Sequence, residues 1–169
     1  MALTVTILIG LPGSGKTTYL QSGLANLPLE RCFDDFHGNS LDGTGTFTKS
    51  RHYVRLKEYL QSGIDCLISD IEYCRSDRLL DAERGLAELF HELGVTINIV
   101  KAYFENNPNA CRHNIVHRYW CNPRRQYIEE LKKVDELSIA YDCPSAGAIP
   151  IGTCCGNCCR PPSNSAQSQ

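Results

Sequence analysis

The sequence predicts an α/β fold in which helices cover both faces of a parallel sheet, as a three-layer sandwich. Three observations support this prediction. Short apolar segments alternate along the chain with longer segments of helical periodicity. The first apolar segment, residues 3–9, runs into a glycine-rich turn that opens a helix. Carboxylates follow two further apolar segments, which would bring them to the ligand-binding edge of such a sheet.

Each predicted element has its own signal in the chain. Strands are expected where apolar and β-branched residues dominate, at residues 3–9, 29–33, 65–69, 95–104 and, as a short fifth strand, 148–151. Helices are expected where apolar residues recur at helical spacing, at residues 15–27, 49–61, 76–93, 108–120 and 124–138. Ser76 is the expected N-cap of the longest helix, Gly94 its C-terminal stop, and Pro108 the start of the next helix.

Composition limits the class of protein. The 169 residues suffice for one domain with its own core, predicted at residues 1–151. A net charge of -2 and a pI of about 6.2 exclude a globally basic surface, so a nucleic acid would need a local basic groove. No apolar run approaches the roughly 20 residues that span a bilayer. No membrane partner is therefore expected, and a cytoplasmic location is predicted.

The C-terminal segment, residues 152–169, has a different composition. It is rich in Cys, Gly, Pro, Ser, Asn and Gln, and four of the ten cysteines crowd into CCGNCC. Such a segment has little to bury, so a weakly ordered tail that is dispensable for catalysis is expected. The Cys-x-x-Cys spacings leave metal binding open, and lipidation or contact with a partner are further alternatives.

The strongest motif lies directly after the first strand. Residues 10–17 read GLPGSGKT, and the expected nucleotide-binding residues are Gly10, Leu11, Pro12, Gly13, Ser14, Gly15, Lys16, Thr17 and Thr18. In this pattern glycines let backbone N–H groups surround phosphates, and the lysine reaches the β- and γ-phosphates. The Thr17 hydroxyl is the expected ligand of magnesium. The motif therefore predicts a P-loop that binds ATP with Mg²⁺.

Two groups of carboxylates are expected beside this loop. Asp70 follows a buried strand and is predicted on the magnesium side, the alternative being a structural residue that caps the next segment. Asp34 and Asp35 follow the second strand, where a carboxylate can accept the proton of an attacking hydroxyl. The sequence alone leaves open which of the two is the base.

Arginines cluster around the helix that follows the fourth strand. They are Arg112, Arg118, Arg124 and Arg125. A transferring phosphoryl group develops charge that a closing cation can stabilise, and the guanidinium fork binds oxygens bidentately. Residues 108–125 are therefore predicted to form an arginine-bearing lid.

The order of these motifs resembles a known family. GLPGSGKTT, then DDF, then ISD, then an arginine-bearing helix after FENNP resembles the small P-loop kinases, in particular the kinase domain of phage-type 5′-hydroxyl polynucleotide kinases and related predicted bacterial AAA-type ATP-binding kinases. The resemblance spans Leu3 to about Tyr141. It implies a P-loop nucleoside triphosphate hydrolase fold of the nucleoside-kinase type.

The resemblance also implies roles for individual residues. Asp34 would be the general base, Asp70 would lie beside the metal, and Arg118 would be the lid arginine with Arg112 second. The polynucleotide kinases often carry an arginine three residues after the base, to hold the acceptor phosphate. His37 stands at that position here.

Together these features predict a kinase that transfers the γ-phosphoryl group of Mg·ATP to a hydroxyl. The candidate acceptors are a 5′-hydroxyl polynucleotide, a nucleoside, a sugar or an antibiotic. One alternative is a nucleotide-binding regulatory ATPase without an acceptor, although a carboxylate after the second strand favours the kinase. A third is a metal- or redox-responsive binding protein that acts through its cysteine tail.

Overall fold

The computed structural model of the chain describes residues 3–38, 40–41, 43–121 and 127–153. Its centre is a parallel sheet of four strands in the order β2-β3-β1-β4. The strands are β1 (Leu3–Ile9), β2 (Cys32–Phe33), β3 (Cys66–Asp70) and β4 (Ile97–Tyr103). The expected α/β class with a parallel sheet is thus confirmed.

Burial explains the strand order. Every residue of β3 is buried, and so are the last three of β1, which is why both read as nearly continuous apolar runs. Strand β4 lies at an edge and is more exposed. In the register of the sheet Ile9 pairs with both Asp70 and Tyr103. The carboxyl ends of three strands therefore meet at one edge, which is where ligands bind to open α/β sheets.

Within the described ranges, five α-helices connect and flank the strands, an arrangement compatible with a three-layer sandwich. They are α1 (Lys16–Gln21), α2 (Tyr53–Gln61), α3 (Ser76–Leu93), α4 (Pro108–Cys121) and α5 (Tyr127–Ala140). Gly94 ends α3 in a left-handed conformation, as expected. The Asn107 side chain accepts a hydrogen bond from the Ala110 N–H at 3.1 Å at the start of α4. Among the described residues no helix is both long and apolar enough to cross a bilayer.

Several boundaries differ from the sequence prediction. Helix α1 ends at Gln21 rather than residue 27, because Gly23 takes a positive φ of 74° that a helix cannot continue. Residues Leu29–Arg31 form a 3-10 turn after Pro28 rather than a strand, so β2 has two residues. Helix α2 begins at Tyr53 and not at residue 49, because Ser50 is extended.

Two further predictions need correction. Ser76 is the first residue of α3, and Arg75 occupies the N-cap position without a side-chain hydrogen bond. The expected fifth strand at residues 148–151 is reduced to an isolated parallel bridge between Phe104 and Ile149. Residues 122–126 and the tail from residue 154, with its CCGNCC motif, lie outside the described residues.

Candidate functional site

The 10–17 loop joins β1 to α1 at the carboxyl edge of the sheet. Leu11, Pro12 and Lys16 are buried, whereas Thr17 and Thr18 are exposed. A turn is closed where the Ser14 N–H donates to the Leu11 carbonyl at 3.1 Å. Its apolar residues anchor the loop to the core and leave the two threonines facing outward.

Gly13 lies where no side chain fits. A Cβ there would lie 2.5 Å from the Cys111 carbonyl oxygen and 2.9 Å from Ile115 Cγ1. Its φ of +80° also favours glycine. Helix α4 therefore packs directly on the loop backbone, and Asn114 Nδ2 secures the contact by donating to the Gly13 carbonyl at 3.0 Å.

Lys16 is the buried cation of the site. Its Nζ donates to the carbonyls of Gly10 at 2.6 Å and Leu11 at 3.1 Å. Burial lowers the pKa of Lys16, and the nearby charges of Asp34 and Asp70 oppose that shift. An ammonium that is desolvated and, among the described residues, hydrogen-bonded to carbonyls alone is incompletely compensated, because burying a charge is expensive without an ion partner. An anion at this position would complete its environment.

Two buried thiols, of Cys74 and Cys111, lie within electrostatic range of the same lysine. Burial raises the pKa of Cys74 to about 12 and that of Cys111 to about 11. Both are therefore neutral at physiological pH and do not supply the missing negative charge. Sequence analysis did not assign either cysteine to the site, and buried cysteine carries no signal that distinguishes this position from ordinary core packing.

Thr17 and the two carboxylates after β2 are neighbours. The Thr17 hydroxyl donates to Asp34 Oδ2 at 3.0 Å, and the Asp35 N–H donates to Asp34 Oδ1 at 3.2 Å. Asp35 takes a positive φ of 51°, which aspartate tolerates better than most residues. Partial desolvation and then the charges of Asp34 and Asp70 raise the pKa of Asp35. The structure thus brings together the predicted metal-side hydroxyl and both candidate bases.

Asp70 is buried and bonded to the backbone. Its Oδ2 accepts from the N–H groups of His37 at 2.7 Å and Gly38 at 2.9 Å, and its Oδ1 accepts from the Glu72 N–H at 2.9 Å. The carboxylate therefore caps the 3-10 turn Ile71–Cys74 and fixes the segment after Asp35. These contacts match the structural alternative for Asp70, and its place beside β1 also keeps it near Lys16.

His37 points away from the loop. Its side chain is buried, with Nδ1 3.1 Å from the Tyr73 hydroxyl and Nε2 3.3 Å from Asp81 Oδ2. The position at which the resembling kinases often carry an arginine is thus occupied by a residue that packs toward α3. His37 is not placed to hold an acceptor phosphate.

The two described arginines of the predicted lid lie on α4 and pair with α5. Arg112 donates to Asp135 and to Asn109 Oδ1, the latter at 3.0 Å. Arg118 Nη2 donates to Glu130 Oε2 at 2.7 Å. Arg124 and Arg125 lie outside the described residues. In this structure the two guanidinium groups therefore tie the helix pair together.

Asn114 is a site residue whose structural role sequence reasoning missed. Besides Gly13, its side-chain amide donates to the Gly152 carbonyl at 2.9 Å, so it joins the loop, α4 and the C-terminal segment. The signal for this role in the sequence is the place of Asn114 in the interior of a predicted helix. Asparagine is a weak helix former there, because its side chain forms hydrogen bonds with other backbone groups.

The donors and the open space of the 10–17 loop decide whether a nucleotide phosphate with magnesium fits there. Ser14 Oγ is buried and has no hydrogen-bond partner among the described residues. A Cβ on Gly10 would lie 2.7 Å from that oxygen, so glycine keeps the space open. Together with the incompletely compensated Lys16 and the exposed Thr17 hydroxyl, these groups supply the donors and the metal ligand that such a group requires. The residues present fit it.

Comparison with known proteins identifies a viral relative. The chain is 31% identical over 137 residues to a protein named Uncharacterized protein R277 of Acanthamoeba polyphaga mimivirus, an alignment that covers 80% of this chain and 84% of that protein. No family model matches the sequence.

Proposed function

We propose that this chain, which belongs to the same family as the mimivirus protein R277, is a P-loop kinase of the nucleoside-kinase type that transfers the γ-phosphoryl group of ATP to a hydroxyl. The observation that carries the proposal is the environment of Lys16, a buried ammonium whose hydrogen bonds within the described part of the chain go to carbonyls of a glycine-rich loop. The likeness of its motifs to the phage-type polynucleotide kinases and to related bacterial ATP-binding kinases supports the same reaction.

The loop residues would bind the phosphates. The backbone around Gly13 and Gly15 would donate to the phosphate oxygens, with Ser14 Oγ as an additional donor. Lys16 would exchange its two carbonyl partners for β- and γ-phosphate oxygens. That exchange replaces neutral acceptors with charged ones, and charge-assisted hydrogen bonds are roughly twice as strong as neutral ones.

Magnesium would be held by Thr17, with the carboxylate of Asp34 or Asp70 behind it. The bound ion would neutralise charge on the β- and γ-phosphates. The direct bond between Thr17 and Asp34 fits a carboxylate that orients the hydroxyl toward the ion. Asp70 already accepts three backbone N–H groups, so it fits a role through an intervening water.

A carboxylate after β2 would accept the proton. As the acceptor hydroxyl oxygen forms its bond to the γ-phosphorus, its proton passes to Asp34 or Asp35, and the bond to the β–γ bridging oxygen breaks with ADP as the leaving group. Sequence reasoning and the resemblance favour Asp34. The raised pKa of Asp35 suits a base as well, because a carboxylate with a raised pKa holds a proton more readily.

The arginines of α4 would complete the site. Arg112 pairs with an exposed carboxylate of α5 and Arg118 with a half-buried one, and exposed pairs are worth about 0–1 kcal/mol. The cost of releasing the Arg112 guanidinium toward a phosphoryl group is therefore small, and the cost of releasing that of Arg118 is larger. The net gain at the transferring group would be larger, since electrostatic stabilisation of developing charge is worth several kcal/mol.

The test is ATP turnover with and without acceptors. Purified full-length protein with Mg²⁺ and γ-labelled ATP should hydrolyse ATP slowly in water and transfer label faster when a suitable hydroxyl compound is added. Equal turnover with every acceptor class tested, in a protein that binds ATP, would favour the regulatory ATPase.

A further inference from the structure

A cleft lies next to the proposed transfer site, between α5 and the 3-10 turn that follows β3. It encloses about 280 Å³, near the lower end of ligand pockets. Its lining is Glu72, Arg75, Lys133, Glu136, Leu137 and Ala140. Leu137 is buried and gives the cleft an apolar wall, while the four charged side chains give it a polar one.

The cleft adjoins the carboxylates of the site on two sides. Glu72 is connected to Asp70, because its N–H donates to Asp70 Oδ1 at 2.9 Å. From α5, the charge of Lys133 reaches Asp35, where it counteracts the raised pKa of that carboxyl. The cleft therefore shares Glu72 with the backbone contacts of Asp70 and Lys133 with the electrostatic surroundings of Asp35.

The charges of the lining are balanced and only loosely paired. Lys133 Nζ lies 4.0 Å from Glu72 Oε1, and Arg75 Nε lies 3.4 Å from Asp77 Oδ1, which is outside the cleft. Among the described residues Glu136 makes no ion pair. Two cations and two anions with such weak mutual contacts are available to a ligand that brings charges of both signs.

This lining discriminates between classes of acceptor. A polynucleotide presents phosphates in succession, and the affinity of its binding sites comes mainly from clustered lysine and arginine. Here Glu72 and Glu136 would face such a strand, and like charges placed together cost affinity. A neutral sugar would bring no charge to pair with Glu136 or with the loosely held Lys133. A small molecule with an ammonium, a carboxylate and a hydroxyl would pair with Glu136 through its ammonium and with Lys133 through its carboxylate.

We infer that this cleft is the acceptor subsite and that the acceptor is a small zwitterionic alcohol, its hydroxyl directed to Asp35 and its charged groups held by Lys133 and Glu136. The inference rests on the proposed kinase function. It names a substrate class that the glycine-rich loop by itself does not define.

The experiment compares three acceptors with the full-length protein and γ-labelled Mg·ATP. L-Homoserine is the zwitterionic alcohol, glycerol the neutral one, and a 5′-hydroxyl oligonucleotide the polyanion. ATP binding is measured separately by calorimetry, and homoserine binding by saturation-transfer NMR with and without ATP. We expect homoserine to bind and to accept label in preference to the other two.

Three variants locate the effect. Lys133→Gln and Glu136→Gln should each raise the KM for homoserine about 10-fold or more, the size expected for one charged hydrogen bond, without changing the KM for ATP. Lys132→Gln is the matched control, because that neighbour on α5 is exposed and pairs with Glu129 instead. Its KM values should equal those of the unaltered protein.

The outcomes separate the two proposals. If the unaltered protein does not bind ATP, the kinase function is contradicted, whether or not homoserine binds. Normal ATP binding with transfer to the oligonucleotide alone, or with no homoserine binding, overturns the zwitterion subsite and leaves the kinase function standing. Homoserine kinetics that the two cleft variants do not alter overturn the subsite as well.

Discussion

The glycine-rich loop and the α4–α5 helix pair both carry cations that the proposed reaction needs, but they hold them in different ways. Lys16 is 7% exposed and bonded to carbonyls of its own loop. The side chains of Arg112 and Arg118 are 40% and 38% exposed and bonded to carboxylates of another helix. The lysine is placed by residues next to it in sequence, whereas the arginines are placed by tertiary partners that they can exchange.

The difference assigns different tasks to the two regions. A buried cation on a short, anchored loop is preorganised, so it contributes to binding without ordering costs at the moment of reaction. Exposed ion pairs such as that of Arg112 are weak and screened by salt, so this part of the helix pair can rearrange around a bound nucleotide at low cost. The loop suits constant recognition of phosphate, and the helix pair suits closure.

The largest expected effect comes from removing the buried cation. Lys16→Ala should abolish ATP binding and lower turnover by about 100-fold or more, because it deletes the preorganised charge. The measurements are calorimetric ATP titration, turnover, and circular dichroism to establish that the fold is intact. Lys132→Ala, at an exposed position on α5, is the control. Normal turnover by a folded Lys16→Ala protein would contradict the assignment of the active site to the 10–17 loop.

The next effect distinguishes the two carboxylates after β2. Asp34→Asn should keep ATP binding and lower phosphoryl transfer by roughly 100- to 10,000-fold if Asp34 is the base, and Asp35→Asn should be milder. Single-turnover transfer and ATP affinity are measured for both variants. The opposite ranking would move the base to Asp35 and leave Asp34 as the partner of Thr17. Normal transfer by both variants contradicts the kinase proposal.

The helix pair provides a third and smaller effect. Arg118→Gln should lower turnover by about 100-fold, as expected for one group that stabilises developing charge, with a modest drop in melting temperature because its ion pair with Glu130 is half-buried. Glu130→Gln, which replaces the carboxylate that Arg118 Nη2 contacts, should leave turnover unchanged or slightly higher. A loss of turnover in Glu130→Gln equal to that in Arg118→Gln would show that the pair has a structural role instead.

The same contrast explains what the sequence could predict. The loop, the burial of β3 and the stop at Gly94 depend on residues that are neighbours in sequence, so local patterns were sufficient. The meeting of Ile9 and Asp70 at one edge follows from parallel strands. The predictions for the fifth strand and the Ser76 cap were wrong, because pairing of residues 148–151 and the chain path at Arg75 depend on tertiary contacts.

The contacts of individual side chains were harder to predict from the sequence than the positions of the backbone elements. Nothing in the chain near His37 indicates that its ring would lie between Tyr73 and Asp81, which are 36 and 44 residues away. The ion pairs of Arg112 and Arg118 likewise depend on how α5 packs on α4. Long side chains reach several partners with little cost, so their sequence position alone does not select one.

The packing of α4 on the loop gives a prediction about stability. Gly13→Ala would place a Cβ 2.5 Å from the Cys111 carbonyl oxygen at a φ of +80°, so it should destabilise the fold by about 2–4 kcal/mol and weaken ATP binding. Gly23→Ala is the matched control, since Gly23 also has a positive φ but nothing within 4 Å of its added Cβ. It should cost only about 1 kcal/mol.

Urea unfolding monitored by circular dichroism measures the difference between the two glycine variants. Equal destabilisation would mean that backbone conformation alone accounts for Gly13. It would also mean that contact with α4 contributes nothing to the position of the loop.

The smallest expected effect is a pH dependence that separates Asp35 from an ordinary surface carboxylate. Its pKa in the folded protein is raised by desolvation and by the charges of Asp34 and Asp70, so the folded state binds this proton more tightly than the unfolded chain does. The contribution of Asp35 to the free energy of unfolding is therefore fully present at pH values below its pKa in the unfolded chain. It is lost as the pH rises through its raised pKa in the folded protein.

Asp35→Asn should remove that loss, and asparagine accepts the positive φ of 51° without added strain. The variant should match the unaltered protein in stability below this range and exceed it at pH 7. Asp142→Asn, at an exposed position, is the matched control for the removal of a carboxylate. Urea unfolding at a series of pH values provides the measurement. A variant less stable than the unaltered protein at pH 7 would show that Asp35 contributes more through its contacts than the neighbouring charges cost, and that the carboxylates after β2 are not electrostatically strained.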